Sequence, residues 1–214
     1  MAKAAADLRP TDRVIDIGAG TGRLALPLTE YLTGGSYDGV DIVRASVAWC
    51  RRAYRRHRNF RFHHADIDNP EYDPGGMKAA DFRFPFPDDA FDFVFLTSVF
   101  THMRAEEVRH YLEEVGRMLA PGGRGLISAF LLNDESRRSI REGKSRFTFS
   151  HACEDCHVEW GDRPERAVAF DEAAFLGWAR GCGLAVHVIP GRWSGRPGVR
   201  EQDFVVARSA KAPA

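Results

Sequence analysis

The first stretch of this chain that could do chemistry is Val14-Ile15-Asp16-Ile17-Gly18-Ala19-Gly20-Thr21-Gly22. An apolar run, read as a buried strand, enters a turn rich in glycine. Glycine takes positive φ without penalty and lets a ligand or a second backbone come close. In an open α/β sheet, the end of such a strand is where ligands bind. Two more carboxylates stand at matching places. Asp41 closes the second apolar run, about twenty residues past the turn, where an acid reaches ribose hydroxyls. A carboxylate accepts several hydrogen bonds and suits a vicinal diol. Asp66 closes a third run and could accept from an exocyclic amine, with Ile67 beside it as an apolar surface for a ring. Each aspartate alone is also an ordinary helix cap or loop residue. Together with the glycine turn on one sheet edge, they point to a nucleotide-like ligand.

The details choose among nucleotides. A dinucleotide fingerprint needs G-x-G-x-x-G, its third glycine allowing close helix–strand packing. Counted from Gly18, that position is Arg23, and the glycine falls one place early, at Gly22. Asp16 would also lie against a pyrophosphate, where like charge is costly. An NAD-dependent oxidoreductase, the alternative enzyme reading, further lacks an obvious Tyr–Lys hydride-transfer pair. A phosphate-binding loop of the G-x-x-x-x-G-K-[ST] kind is absent, since no Lys-Ser or Lys-Thr follows the glycines. Asp16 suits a ligand with a cationic or donor-rich group.

These residues need a scaffold, and the pattern of apolar runs supplies one. Strands are predicted at Arg13 to Ile17, Ser36 to Ile42, Phe60 toward Asp66, Phe91 to Leu96 and Gly125 to Leu131. Helices are predicted at Arg23 to Leu32, Ala45 to His57, Arg104 to Leu119 and Phe170 to Gly181, with Asp171 as an N-cap. Phe91 to Leu96, apolar but for Asp92, is expected to be a central parallel strand. Pro121-Gly122-Gly123 stops the third helix. Ala185 to Pro190 and Gln202 to Arg208 read as closing strands. This alternation is a doubly wound α/β sheet. Asn69 to Asp89 reads as loop. Asn133 to Ala169 follows the carboxyl end of the fifth strand, and a connection that long is expected to be a functional lid over the ligand face.

In order, the motifs resemble the class I S-adenosylmethionine-dependent methyltransferases, in particular their small-molecule members. The resemblance rests on the glycine turn, Gly39-Val40-Asp41-Ile42, Ala65-Asp66-Ile67, Phe84-Pro85-Phe86-Pro87-Asp88-Asp89-Ala90-Phe91-Asp92 and Arg117-Met118-Leu119-Ala120-Pro121-Gly122-Gly123, and it spans about Asp12 to Arg208. It implies a Rossmann-like, seven-stranded, mostly parallel sheet whose last strand is antiparallel, within a single domain over 1–214. It implies S-adenosylmethionine as cofactor. The turn at Gly18, Ala19, Gly20 and Gly22 would pass its methionine part, with Asp16 near the amino group. Asp41, followed by Ile42, would hold the ribose, and Asp66, followed by Ile67, would touch adenine.

Methyl transfer from a sulfonium is an in-line displacement, in which the protein aligns donor and acceptor. Thr97-Ser98-Val99-Phe100-Thr101-His102-Met103 follows the central strand and so lies beside the transferring group. Backbone atoms at Thr97 and Ser98 are expected to contact the cofactor. His102 is the candidate general base, its ordinary pKa suiting proton transfer near neutrality. The other reading of His102 is a pocket wall. Further resemblance to glycan and glycolipid methyltransferases suggests O-methylation of a sugar-like or secondary-metabolite hydroxyl, with Asn133, Asp134, Arg137 and Arg192 bonding the acceptor and Trp193 stacking on it. A non-catalytic binding module of the same fold is the alternative from another class.

His151, Cys153, Cys156 and His157 form a compact H-x-C-x-x-C-H group. Four ligands that close would strain the loop, so no metal is expected and the group is read as lid packing. The count of four cysteines fits free thiols in a reducing, cytoplasmic setting. Arginines crowd the second helix and are read as a solvated face, with Ala48, Trp49 and Ala53 toward the sheet. The net charge is +0, which gives no global drive toward nucleic acid or membrane. No apolar run is long enough to span a bilayer, and Met1 to Asp12 holds no signal-peptide core. Little chain precedes the first strand. The cofactor pocket is therefore expected to be closed by the lid or by another subunit, in a monomer or homodimer.

Overall fold

Apart from Asp92, which pairs with Arg13 at 2.8 Å, the central strand Phe91–Leu96 is apolar because it is covered on both faces and flanked on both edges. It is β4 of a computed structural model that describes residues 6–198 and 200–212. Residues 1–5, 199 and 213–214 of the expected 1–214 domain lie outside the described residues. Around β4 stand β1 (Arg13–Ile17), β2 (Ser36–Asp41), β3 (Phe60–His64) and β5 (Leu119–Leu132), all parallel, in the order β3-β2-β1-β4-β5. The closing strands β9 (Leu184–Ile189) and β10 (Asp203–Ser209) complete a seven-stranded sheet. β10 inserts antiparallel between β5 and β9, opposite Arg124 to Ala129 of β5. The doubly wound sheet with an antiparallel last strand is as the sequence implied.

The strand count is not. β5 runs on past β10, and Phe130 to Leu132 pair with a further strand, β8 (Val168–Asp171). β8 pairs with β7 (Cys156–Val158), which forms a hairpin with β6 (His151–Cys153). Ten strands result. The segment expected as a loop at 133–169 is therefore built, with helix α4 (Asp134–Arg141) at its start. Its strands are too short to show a period of two, which is why they read as loop. β8 also takes the first residues assigned to the last helix, which starts at Glu172 after the expected Asp171 cap.

Helices α1 (Ala25–Tyr31) and α2 (Arg44–Ala53) cover one face of the sheet, packing Leu28, Val47 and Cys50 against Val14, Tyr37 and Phe62. α3 (Ala105–Met118) and α5 (Glu172–Gly181) cover the other, where Val108, Leu112 and Phe175 meet Val94, Ile127 and Val205. On α2 the sequence placed the wrong stripe inward. Val47 and Cys50 are buried and Trp49 is exposed, because Val47, Cys50 and Tyr54 recur at helical spacing and fill the groove. No helix among the described residues is long and apolar enough to cross a membrane.

Candidate functional site

The carboxyl ends of β1, β2, β3 and β4 open onto one cavity of about 440 Å³. Sequence dictates its floor. Gly18 has φ +78°, and a Cβ there would stand 2.3 Å from Val99 Cγ2, so only glycine lets the turn pass the loop after β4. The turn is tied down by its neighbours. Gly18 and Ala19 N–H donate to Val40 O at 2.8 and 3.0 Å, and Gly20 N–H donates to Asp41 Oδ2 at 2.7 Å. Asp41 Oδ1 accepts from Val43 N at 2.8 Å. Asp41 thus orients the turn while its remaining lone pairs face the cavity it lines.

Asp16 is the electrostatic anomaly of the site. It is 1% exposed. Tyr37 donates to its Oδ2 at 2.5 Å, while its Oδ1 has no partner among the described residues. Burial pushes its pKa up to about 7, against the opposing pull of the Tyr37 hydroxyl. A buried carboxylate oxygen without a donor is costly. Asp16 lines the cavity, and a ligand ammonium or N–H placed there would satisfy it.

His102 lies on a 3-10 turn, Phe100–His102, across the cavity. Its Nδ1 is 2.9 Å from Glu165 O. A carbonyl only accepts, so Nδ1 carries the proton. Burial lowers the pKa of the ring, which favours the neutral form. Nε2 is then an acceptor, and the Tyr72 hydroxyl donates to it across 3.2 Å. Two segments hold this geometry. Asn69 Nδ2 donates to His102 O at 3.4 Å, and Arg104 pairs with the Glu165 carboxylate at 3.1 Å. Arg163 pairs with Glu71 at 2.7 Å and joins the two segments.

The cavity brings together Asp16, Gly18, Ala19, Gly20, Asp41, Ile42, Ile67, Thr97, Ser98 and His102, as the sequence implied. Ser98 holds a strained φ of +58°. Its N–H already donates to Ser128 Oγ at 2.8 Å. Asp66 and Gly22 are not brought there. Alternation along the extended chain buries Ala65 and Ile67 and turns Asp66 out, and Asp68 lines the cavity in its stead. Gly22 backs onto Tyr54, whose hydroxyl donates to its carbonyl at 2.8 Å.

The expected acceptor residues all stand outside the cavity lining. Trp193 is fully buried against Phe130 and Phe149, and its Nε1 donates to Asp203 Oδ2 at 2.7 Å, so it is a core residue with no face to offer. Asn133 caps α4, Asp134 is exposed in its first turn, Arg137 faces Asp171 at 3.7 Å and Arg192 faces Glu201 at 3.4 Å. Nor does 133–169 roof the cavity; it meets the site through Glu165, as a side support.

Several residues of the cavity lining were not legible as such. Tyr72 and Asn69 sit in a stretch of prolines, glycines and charges with no periodicity. Glu107, Tyr111, Phe84 and Met103 line the cavity but read as ordinary core or cap positions. Burial pushes the pKa of Glu107 up, and its Oε2 accepts from Arg104 N at 2.6 Å.

The cysteine–histidine group resolves differently from expectation. Cys153 and Cys156 face each other across the hairpin and are joined by a disulfide, where free thiols were expected. His157 pairs opposite Ala152, one residue out of phase with Cys156, so its side chain leaves on the other face. Among the described residues no group of histidine, cysteine and acidic side chains is placed to hold a metal.

The sheet order, the glycine turn and the aspartate beyond it define a methyltransferase fold with its cofactor cleft. Residues 14–123 match the family model described as "Methyltransferase domain", and the chain belongs to that family. It is 35% identical over 119 residues to a demethylmenaquinone methyltransferase of Thermus thermophilus, a match covering 55% of this chain and 47% of that protein. It is 33% identical over 130 residues to the 27-O-demethylrifamycin SV methyltransferase of Amycolatopsis mediterranei, covering 58% and 41%. The matches thus span less than half the length of these relatives. In structure it resembles the YcgJ protein of Bacillus subtilis, with TM-score 0.63 and 19% identity over 99% of this chain and 97% of that one. That likeness concerns the fold.

Proposed function

We propose that the chain binds S-adenosylmethionine in this cavity and transfers its methyl group to a hydroxyl of a small molecule. The observation that carries the reading is the Oδ1 of Asp16, buried without a partner among the described residues in a lining that also holds the Asp41 carboxylate. One end of the cavity calls for a cation or N–H donor, and Asp41 offers acceptors to a diol. Asp16, Asp41 and the turn at Gly18 to Gly20 would hold the amino acid and ribose parts. Ile42 and Ile67 offer apolar walls to the base, with Asp68 beside them. Bound there, the cofactor supplies an electrophilic methyl group.

The chain's own contribution is alignment and a proton acceptor. Nε2 of His102 is unprotonated, its tautomer fixed by Glu165 O. A hydroxyl that replaces Tyr72 at Nε2 would lose its proton there as its oxygen becomes the nucleophile. Phe84, Met103, Tyr111 and the ring of Tyr72 give the cavity apolar walls, with the Glu107 carboxyl among them. Those walls support an acceptor with an apolar body, of the secondary-metabolite kind. Asn133, Asp134, Arg137, Arg192 and Trp193 lie outside this lining, so the hydroxyl of an apolar compound is the acceptor we favour. The name of the rifamycin relative, an O-methyltransferase, supports oxygen as the atom methylated.

Calorimetry with S-adenosylhomocysteine tests the binding half; a folded sample that takes up none sinks the reading. Turnover across a panel of apolar hydroxylated acceptors tests the transfer. Cofactor binding with no turnover on any acceptor would turn the reading to a non-catalytic module.

A further inference from the structure

A second concavity lies on another part of the molecule. Between Asp41 and Asp66 the chain holds seven arginines and three histidines and no acidic residue, although its net charge is +0. The concentration is therefore not a matter of composition. The fold gathers it. α2 starts at the cofactor cavity, where Val43 and Ser46 are lining residues. Its far end and the start of β3, the open edge of the main sheet, enclose a groove of about 400 Å³. Arg51, Arg55, Arg58, Arg61, His57 and His63 line it, and it shares no lining residue with the first cavity.

Structural duties account for part of this charge. Arg51 Nε donates to Phe62 O at 2.8 Å and so covers a carbonyl of the open edge. Arg61 makes a two-pronged pair with Asp38, which His63 also meets at 2.7 Å. Arg55 and Arg58 remain. Both are exposed, and neither enters an ion pair among the described residues. Arg55 only reaches the Arg52 carbonyl, at 3.1 Å. Like charges gathered in one concavity raise the energy of the empty groove and lower that of an anion inside it. Buried Tyr54, Phe60 and Phe62 form its floor, so the arginines stand on a packed base.

We propose that this groove binds a ligand carrying linked phosphoryl groups. Guanidinium forks match phosphate oxygens two at a time, and Arg55 and Arg58 are free to do so. The volume exceeds a single phosphate and admits a diphosphate with its substituent. The diphosphate arrives either as a soluble compound or as a lipid headgroup, and the chemistry read by the arginines is the same.

The test titrates the full chain with pyrophosphate by calorimetry, beside the Arg55→Glu/Arg58→Glu variant and the milder Arg58→Gln. Saturable binding near one per chain is expected. The double reversal should weaken it about 10- to 100-fold, the loss of a charge-assisted contact or more. Circular dichroism and S-adenosylhomocysteine affinity should not change. If the double variant does not fold, Arg58→Gln carries the same comparison. Cosedimentation with phosphatidylcholine vesicles doped with a polyprenyl diphosphate, reversed by pyrophosphate, would assign the headgroup source; pyrophosphate binding without cosedimentation would assign the soluble one. Absence of pyrophosphate binding, or equal binding by folded variants, would overturn the proposal. Tight binding of a single-stranded oligonucleotide that pyrophosphate does not displace would overturn it in favour of a nucleic-acid surface.

Discussion

Asp16 and Asp41 divide the work of one cleft by their surroundings. Asp41 is half-buried and holds two backbone donors, so its charge is already stabilised. Asp16 is buried with one oxygen bare, and its pKa stands near 7. A proton on Asp16 competes with a ligand ammonium for that oxygen. Affinity for S-adenosylhomocysteine should therefore rise as pH goes from about 6 to about 8 and then level off as the carboxyl ionises. Asp16→Asn should flatten this profile. Asp41→Ala removes ribose acceptors and also frees the N–H groups of Gly20 and Val43; calorimetry should show a loss of about 10- to 100-fold. Asp41→Asn, which keeps one acceptor, should fall between. His102→Ala should lower turnover by about 10²–10⁴-fold while cofactor affinity holds. If the residue is only a wall, saturated turnover would stay nearly intact instead.

At the scale of elements, His102 is positioned by segments that do not belong to the parallel sheet. The connection after β3 supplies Asn69 and Tyr72, and the run before β8 supplies Glu165. Tyr72 donates to Nε2 only while the ring is neutral, so it favours the neutral form. Tyr72→Phe should raise the His102 pKa, read by the NMR titration of its ring protons. An unchanged midpoint would mean that the contact does not bias the ring. The other correction at this scale is Trp193. Its indole fills the junction between Phe130 of β5 and Phe149 and bonds Asp203. Trp193→Ala should cost about 3–5 kcal/mol in denaturant unfolding, as other buried aromatic truncations do. Any protein that remains folded should keep its affinity for S-adenosylhomocysteine.

At the scale of the whole molecule, distant parts of the chain are fastened by charges that burial makes important. Asp12, just before β1, accepts from Arg124 Nη2 in β5 at 2.6 Å, and both side chains are buried. Breaking such a pair leaves an uncompensated buried charge. Asp12→Ala should destabilise the fold by about 3–5 kcal/mol, seen as a lower denaturation midpoint. A loss below about 1 kcal/mol, the range of exposed pairs, would show that Arg124 finds water or another acid in the variant. The two concavities lie at opposite ends of α2, one lined by Asp16 and Asp41 and the other by arginines. A neutral chain thus carries two separated fields of opposite sign, which net charge alone conceals.

The sequence by itself determined the parallel strands, the glycine turn and the acid at Asp41. These depend on local patterns: a continuous apolar run, a glycine forced by φ, an acid at a strand end. Periodicity and turn chemistry are written in neighbouring residues and survive without the fold. Tertiary structure alone decided the rest of the site. Asp66 faces out because the chain beyond β3 stays extended and alternates, and Asp68 takes a place in the lining. Tyr72 and Glu165 meet His102 from positions 30 and 63 residues away, and no local pattern encodes such an encounter. Trp193 after a strand could in sequence stack on a ligand or simply pack, and Phe130, Phe149 and a buried aspartate enclose it. Which residues share a face can be read from spacing; which faces meet is settled only when the chain packs.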